Sequence, residues 1–197
     1  MFWLILAIAV WGVFHSLLAS IGIKDLFLRA FGNGFMKFYR LFYNVYAVIS
    51  FLPVLYLMAT LPDRILYQVP APYDYLMRVG QGASIFLLFV AAFQTDLLSL
   101  MGVRQLLEAE EEKGKLVKGG LYAYVRHPLY TFSLLFLWFS PNLSLNSFIV
   151  YVALTVYVFV GIYFEERKLI REFGQEYILY RSMTPMLIPG LNIIWNK

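Results

Sequence analysis

The sequence predicts an all-α fold: a polytopic membrane helical bundle of about five transmembrane helices, N-terminus out and C-terminus in, followed by an amphipathic interfacial helix. Three observations predict it. The chain is 61% hydrophobic and only 14% charged, far from the balance of a soluble globular domain. Its apolar residues gather in runs near the length a bilayer needs, roughly 20 residues as helix. Its Lys and Arg gather in alternate loops, the pattern of the positive-inside rule.

The first run, Phe2 to Ile23, has no basic residue ahead of it and is too long for a typical signal-peptide core, so it is expected to remain as a span. Tyr39 to Leu61 and Leu76 to Leu100 are the second and third spans. Leu129 to Phe139 and Leu145 to Phe164 follow, parted by the turn signal Ser140, Pro141, Asn142, and read as a helical hairpin. The first arm of that hairpin is short, so it either borrows residues before Pro128 or is re-entrant in a protein-lined cavity. Four Lys and Arg lie between Lys24 and Arg40, five between Arg104 and Arg126, and five from Arg167 to Lys197. The alternate loops hold only Arg64 and Arg78, which orients the chain with its basic loops toward the cytoplasm.

Beyond Glu166, the spacing of Leu169, Phe173, Tyr177 and Tyr180 is close to a helical period with charged residues interspersed. Gly174 is a candidate bend, and Pro185 and Pro189 end regular helix. The absence of cysteine excludes disulfides, thiolate metal sites and a cysteine nucleophile, and no metal-ligand set is expected. A net charge of +4 is modest, and nothing in its distribution points to nucleic acid; the expected partner is the lipid bilayer. No internal repeat or low-complexity segment divides residues 1–197, which read as one membrane domain.

On this topology, His15, Asn44, Gln94, Asp96, Arg126, His127, Glu165 and Glu166 all fall in the cytoplasmic half of the helices or at their ends. Ionisable groups at such depth face a bundle interior or a wet cavity rather than lipid, which predicts a buried polar site. Arg126 and the two Glu can equally mark the membrane interface. His15 and Asn44 suit hydrogen bonds between helices, and Asp96 suits an ion pair with Arg104, roughly two helical turns away.

Residues 115–130 read KLVKGGLYAYVRHPLY, and about thirty-five residues later residues 165–180 read EERKLIREFGQEYILY. The pairing resembles the isoprenylcysteine carboxyl methyltransferase and phospholipid methyltransferase superfamily. Its first block has the form LVxxGxYxxxRHPxY, matched by Leu116, Val117, Gly120, Tyr122, Arg126, His127, Pro128 and Tyr130. Its second, a Glu pair followed by FGxxYxxY, is matched by Glu165, Glu166, Phe173, Gly174, Tyr177 and Tyr180. The segments FHSLLAS, YRLFYN and TDLLSLMGVRQ resemble the NnrU-like and methanethiol S-methyltransferase branch.

The resemblance implies an S-adenosylmethionine-dependent methyltransferase acting on a small or lipophilic acceptor, such as a thiol. Prenylated cysteine carboxylates and phospholipid amines are alternative acceptors, and a non-catalytic NnrU-like accessory protein is an alternative role. It further implies that residues 1–101 form the acceptor side and residues 102–197 the cofactor side. Arg126, Glu165 and Asp96 become catalytic candidates, and Leu116, Val117, Gly120, Tyr122, His127, Pro128, Tyr130, Glu166, Tyr177 and Tyr180 candidates for holding the cofactor. Such a cofactor needs hydrogen-bonding groups, flat apolar walls and a dry reaction point. The glycines permit close backbone approach, the tyrosines can wall adenine or face the sulfonium, and Arg126 or His127 can bind a carboxylate. One Glu of the pair should face outward, because adjacent helical residues diverge. An interfacial aromatic belt also accounts for tyrosines at this depth.

Overall fold

The computed structural model describes residues 1–107 and 115–191, excepting the side chains of Ser99, Leu100, Gln105 and Leu107. In order, the chain forms α1 (Phe2–Ala19), α2 (Ile21–Thr60), β1 (Ile65–Gln68), α3 (Tyr73–Gln94), α4 (Leu97–Met101), α5 (Arg104–Leu107), a 3-10 turn (Gly120–Ala123), α6 (Pro128–Trp138), β2 (Asn142–Ser144), α7 (Leu145–Phe173) and α8 (Gln175–Met183). Helices α1, α2, α3 and α7 are long and apolar enough to cross a membrane. Only 6% to 17% of their most apolar windows is buried within the protein. Side chains such as Trp3, Val48 and Phe86 therefore need lipid to cover them, and the chain is an integral membrane protein.

Two compact units divide the chain. One comprises Met1–Arg64, Asp96–Lys113 and Ser144–Ala153; the other comprises Ile65–Thr95, Gly114–Leu143 and Leu154–Lys197.

In the first unit, α1 and α2 form an antiparallel pair whose register is fixed by polar groups. Trp11 donates to the carbonyl of Ala47 at 3.2 Å, Tyr43 meets His15 Nε2 at 2.6 Å, and Tyr39 donates to the carbonyl of Leu18 at 2.6 Å. Ser20 separates the helices, its hydroxyl accepting from the N–H of Ile23 as an N-cap. The expected loop from Lys24 to Arg40 is instead helical, interrupted at Gly32 with φ of 73°. The rings of Phe27 and Tyr39 lie 5.4 Å apart, whereas twelve residues of straight helix rise about 18 Å. Gly32 thus folds Ile21 to Phe31 back against the helix that follows, a conformation glycine adopts without steric cost.

The start of α7 is capped within the same unit. Its first three N–H groups donate to the Arg64 carbonyl at 2.9 Å, Asp63 Oδ1 at 3.0 Å and the Ser144 hydroxyl at 3.2 Å. Asn146 is buried and donates back to the Leu61 carbonyl at 3.2 Å. One cluster therefore satisfies orphan groups at the end of α2 and the start of α7.

In the second unit, β1 pairs with β2, and α3 packs on α6. Gly80 takes the ring of Phe139, 3.2 Å from where a Cβ would stand, and Gln81 donates to the Phe136 carbonyl at 3.0 Å. Helix α6 begins at Pro128, borrows nothing before it, and has only 11 residues, about half a bilayer crossing. The third expected span ends early, at Gln94. Asp96, with φ of 61°, turns the chain before α4 begins at Leu97. The last span runs past its expected end at Phe164 to Phe173, where Gly174, with φ of 56°, bends the chain into α8. Regular helix ends at Met183, ahead of Pro185.

Asp63 is exposed, and although slight desolvation opposes its ionisation, hydrogen bonds from Ser144, Asn146, Arg64 and Leu145 outweigh it and hold the carboxyl below its usual range. A depressed folded pKa contributes stability that is present above the unfolded value and lost as pH falls through the folded one. Thermal unfolding in detergent should therefore show a loss of stability below about pH 4 that Asp63→Asn removes. At neutral pH that variant should cost about 1 kcal/mol. An unchanged melting temperature and acid limb would contradict the capping role.

Candidate functional site

Pro128 opens α6 and, as its first residue, gives up only an N–H that would have no helical partner. The two residues before it cannot join the helix easily, and their backbone pairs elsewhere. Arg126 N–H donates to the Pro185 carbonyl at 2.8 Å, and His127 N–H to the Met186 carbonyl at 3.2 Å. The C-terminal segment after α8 thereby holds the Arg-His-Pro turn.

That turn presents Arg126 and His127 to the Glu pair of α7. Glu166 is 4% exposed and Arg126 4%, so both charges lie out of water. Glu166 Oε1 accepts from Arg126 Nε at 2.8 Å and lies 2.6 Å from Arg126 Nη2. Arg126 Nη1 donates to the carbonyl of Arg181 at 3.0 Å and to that of Thr184. His127 Nε2 is 3.4 Å from Glu166 Oε1, and its Nδ1 is 3.7 Å from Glu165 Oε2. Arg181 Nε approaches the second oxygen of Glu166 at 3.4 Å. One imidazole and two guanidiniums thus converge on one carboxylate, while the Glu165 side chain remains 41% exposed. The outward member of the pair is Glu165.

The tyrosines form the next layer. Tyr180 donates to the Tyr122 carbonyl, and its ring meets that of Tyr177 edge-on at 6.0 Å. Burial pushes the Tyr122 and Tyr180 phenols up to about 12. Burial, then the charge of Glu166, pushes Tyr177 higher still. All three stay neutral near pH 7, able to donate hydrogen bonds and unsuited to act as bases. Tyr130 stands 5.8 Å from the His127 ring. Among the described residues, four buried polar atoms at this cluster make no hydrogen bond; Arg126 Nη2 and Arg181 Nε are still ion-paired to Glu166, whereas the Tyr177 hydroxyl and Glu165 Oε2 are not.

Gly120 serves differently from the expected open approach, whereas the space beside Gly119 is open. Gly120 has φ of 60°, and a Cβ there would stand 2.4 Å from Gln94 Nε2. Gln94 Oε1 accepts from the N–H of Leu121 at 2.9 Å, which ties the first block to the end of α3. Nothing lies within 4 Å of a Cβ at Gly119. Leu116 and Val117 are half-buried, and Lys118 pairs with Glu176 of α8 at 2.7 Å.

Within the first unit, Asp96 is ion-paired with Arg104 at 2.8 Å, and His15 is bound to Tyr43. Residues 108–114 of the long polar loop lie outside the described residues. Sequence reasoning missed Arg181, although it directly follows the second block. It also missed the carbonyls of Arg181, Thr184, Pro185 and Met186, because a backbone role leaves no side-chain signature.

Gly120→Ala should cost about 1–2 kcal/mol from the left-handed backbone together with the displaced Gln94. In a Gln94→Ala background the further cost of Gly120→Ala should shrink to the backbone part alone. Equal costs in both backgrounds, read from thermal unfolding, would show that Gln94 does not dictate this glycine.

Residues 82–176 match the model of the phospholipid methyltransferase family. Methanethiol S-methyltransferase 1 of Bradyrhizobium diazoefficiens is 29% identical over 190 residues, covering 94% of this chain and 65% of its own length. Methanethiol S-methyltransferase 2 of the same organism is 38% identical over 109 residues, 52% of this chain and 41% of its own length. The Crocosphaera subtropica methanethiol S-methyltransferase is 35% identical over 107 residues, 52% of this chain and 42% of that protein. The chain thus spans between about two fifths and two thirds of the length of these relatives. No solved structure matches this chain. Both motif blocks begin inside the matched 82–176 region, so the chain is similar to membrane methyltransferases over the segments that build the Arg126–Glu166 cluster.

Proposed function

We propose that this chain is an integral membrane methyltransferase that uses S-adenosylmethionine and transfers its methyl group to a small thiol. The observation that carries the reading is the union of two distant blocks, Arg126-His127 and Glu165-Glu166, at one buried cluster that leaves the Tyr177 hydroxyl and Glu165 Oε2 without hydrogen bonds. A buried donor and a buried carboxylate oxygen are costly unless a partner meets them. The ammonium, ribose hydroxyls and adenine of the proposed cofactor offer such partners. Glu165 would accept from its ammonium or ribose, and Tyr177 would donate to it. Arg126 already gives Nε to Glu166 and Nη1 to two carbonyls, and its Nη2 lies against the same carboxylate. Its role in this reading is to fix Glu166 and the C-terminal segment. The Asp96–Arg104 pair is read as structural. The positive-inside pattern supports a cluster on the cytoplasmic side.

When bound, the cofactor supplies an electrophilic methyl on a cationic sulfur. A thiol acceptor would have to give its proton to solvent water and enter the site as the thiolate, whose charge the cofactor's sulfonium methyl would cancel on transfer. Charge disappears in this step, so a dry site that aligns the two sulfurs favours it. The chain's contribution is alignment and exclusion of water by the packed tyrosines, which remain protonated and do not take the thiol proton near pH 7.

Calorimetry on detergent-purified protein should show S-adenosylmethionine binding. Tyr177→Phe and Glu165→Gln should each weaken it about tenfold, while Asp63→Asn, remote in function, leaves it intact. Turnover with methanethiol should exceed that with phosphatidylethanolamine or prenylated cysteine. No binding by the wild-type chain, or wild-type affinity in both site variants, would reject the reading.

A further inference from the structure

A cavity of about 210 Å³ lies in the second unit between α6, α7 and the C-terminal segment, walled by Thr131, Leu134, Trp138, Phe159, Met186 and Leu187. Its walls are apolar for reasons the hydrogen bonds make explicit. The Thr131 hydroxyl is turned to the carbonyls of His127 at 3.1 Å and Leu187 at 2.9 Å. The indole N–H of Trp138 is turned to the Thr155 hydroxyl at 3.0 Å. Neither polar handle is left for a ligand, so a charged or hydrogen-bonding group placed here would go unpaired. The cavity also begins one helical turn from the site already described, since Thr131 N–H donates to the His127 carbonyl at 3.0 Å. Its far rim, at Leu135 and Ile188, is exposed on apolar surface.

We infer that this cavity receives the hydrocarbon part of a compact acceptor, an alkyl or aryl thiol of about four to six carbons. An apolar cavity of about 150 Å³ stays dry and takes a six-carbon ring, so the present one is sized for a group of that order. A farnesyl-sized prenyl chain of about fifteen carbons exceeds it nearly twofold, and a diacyl chain by more. Lined only by hydrocarbon and aromatic faces, it gains from each methylene it covers and offers nothing to a headgroup. The term acceptor rests on the methyl-transfer reading above; occupation of the cavity does not, and is tested without a cofactor.

Trp138 in the wall reports occupation directly. Bromoalkanes quench indole on contact, so 1-bromobutane should give a saturable component of quenching in detergent-purified protein. Trp138→Phe should abolish that component and Leu134→Phe weaken it, whereas Phe159→Ala should move the preferred chain from 1-bromobutane toward 1-bromooctane. With S-adenosylmethionine, kcat/KM should rise about fourfold per methylene from methanethiol to butanethiol and fall for dodecanethiol. Quenching that never saturates, that is identical in wild type and Leu134→Phe, or that strengthens without limit up to 1-bromododecane overturns the inference. Calorimetry with S-adenosylmethionine separates the two claims. Protein that binds the cofactor without saturable bromobutane quenching refutes the cavity assignment alone. Protein that shows the quenching but binds no cofactor upholds the cavity and refutes methyl transfer.

Discussion

Arg126 and Glu166 sit forty residues apart in sequence and within hydrogen-bond distance in space, with almost none of either side chain in contact with water. A charge so placed is tolerable only when its partner and its remaining hydrogen bonds are supplied. The guanidinium takes one carboxylate oxygen with Nε and Nη2, and the carbonyls of Arg181 and Thr184 with Nη1. A single side chain therefore fixes three segments of the second unit: the turn before α6, the last third of α7 and the stretch that follows α8. His127 and Arg181 complete the shell around Glu166.

The rest of the site is arranged by what that ion pair holds. Because the C-terminal segment is clamped against residues 126–131, the short helix α6 gains walls it cannot provide alone, and Met186 and Leu187 pack with Ile162 as a small core. Polar and apolar functions separate along α6. Its first turn faces the carboxylates, and the next two face an apolar cavity. In a methyl transfer from a cationic donor to a hydrophobic thiol, those are the two environments the reactants require, and one helix start joins them.

Much of this was legible in the sequence, and the exceptions have physical causes. Runs of apolar residues located the long helices, because lipid demands length and uniformity. The spacing of Arg126, His127, Glu165 and Glu166 anticipated a shared cluster, because buried charge needs a partner. The folded-back segment before Gly32 was hidden by Lys24, Arg29 and Lys37, which read equally as a loop and as the wet face of a helix. The two blocks meet in direct contact through Arg126, which the sequence shows only as a shared polar layer. The Gly120 requirement could be seen, but its cause is the Gln94 amide, a long-range contact invisible to local pattern.

The central claim is that the Arg126–Glu166 pair is the energetic tie between the two blocks, and a double-mutant cycle measures it. Reversible unfolding in mixed detergent micelles would be followed for Arg126→Met, Glu166→Leu and the double variant. Each single change should cost about 3–5 kcal/mol by stranding a buried charge, and the double should recover most of that loss. Costs that simply add in the double variant would contradict the account.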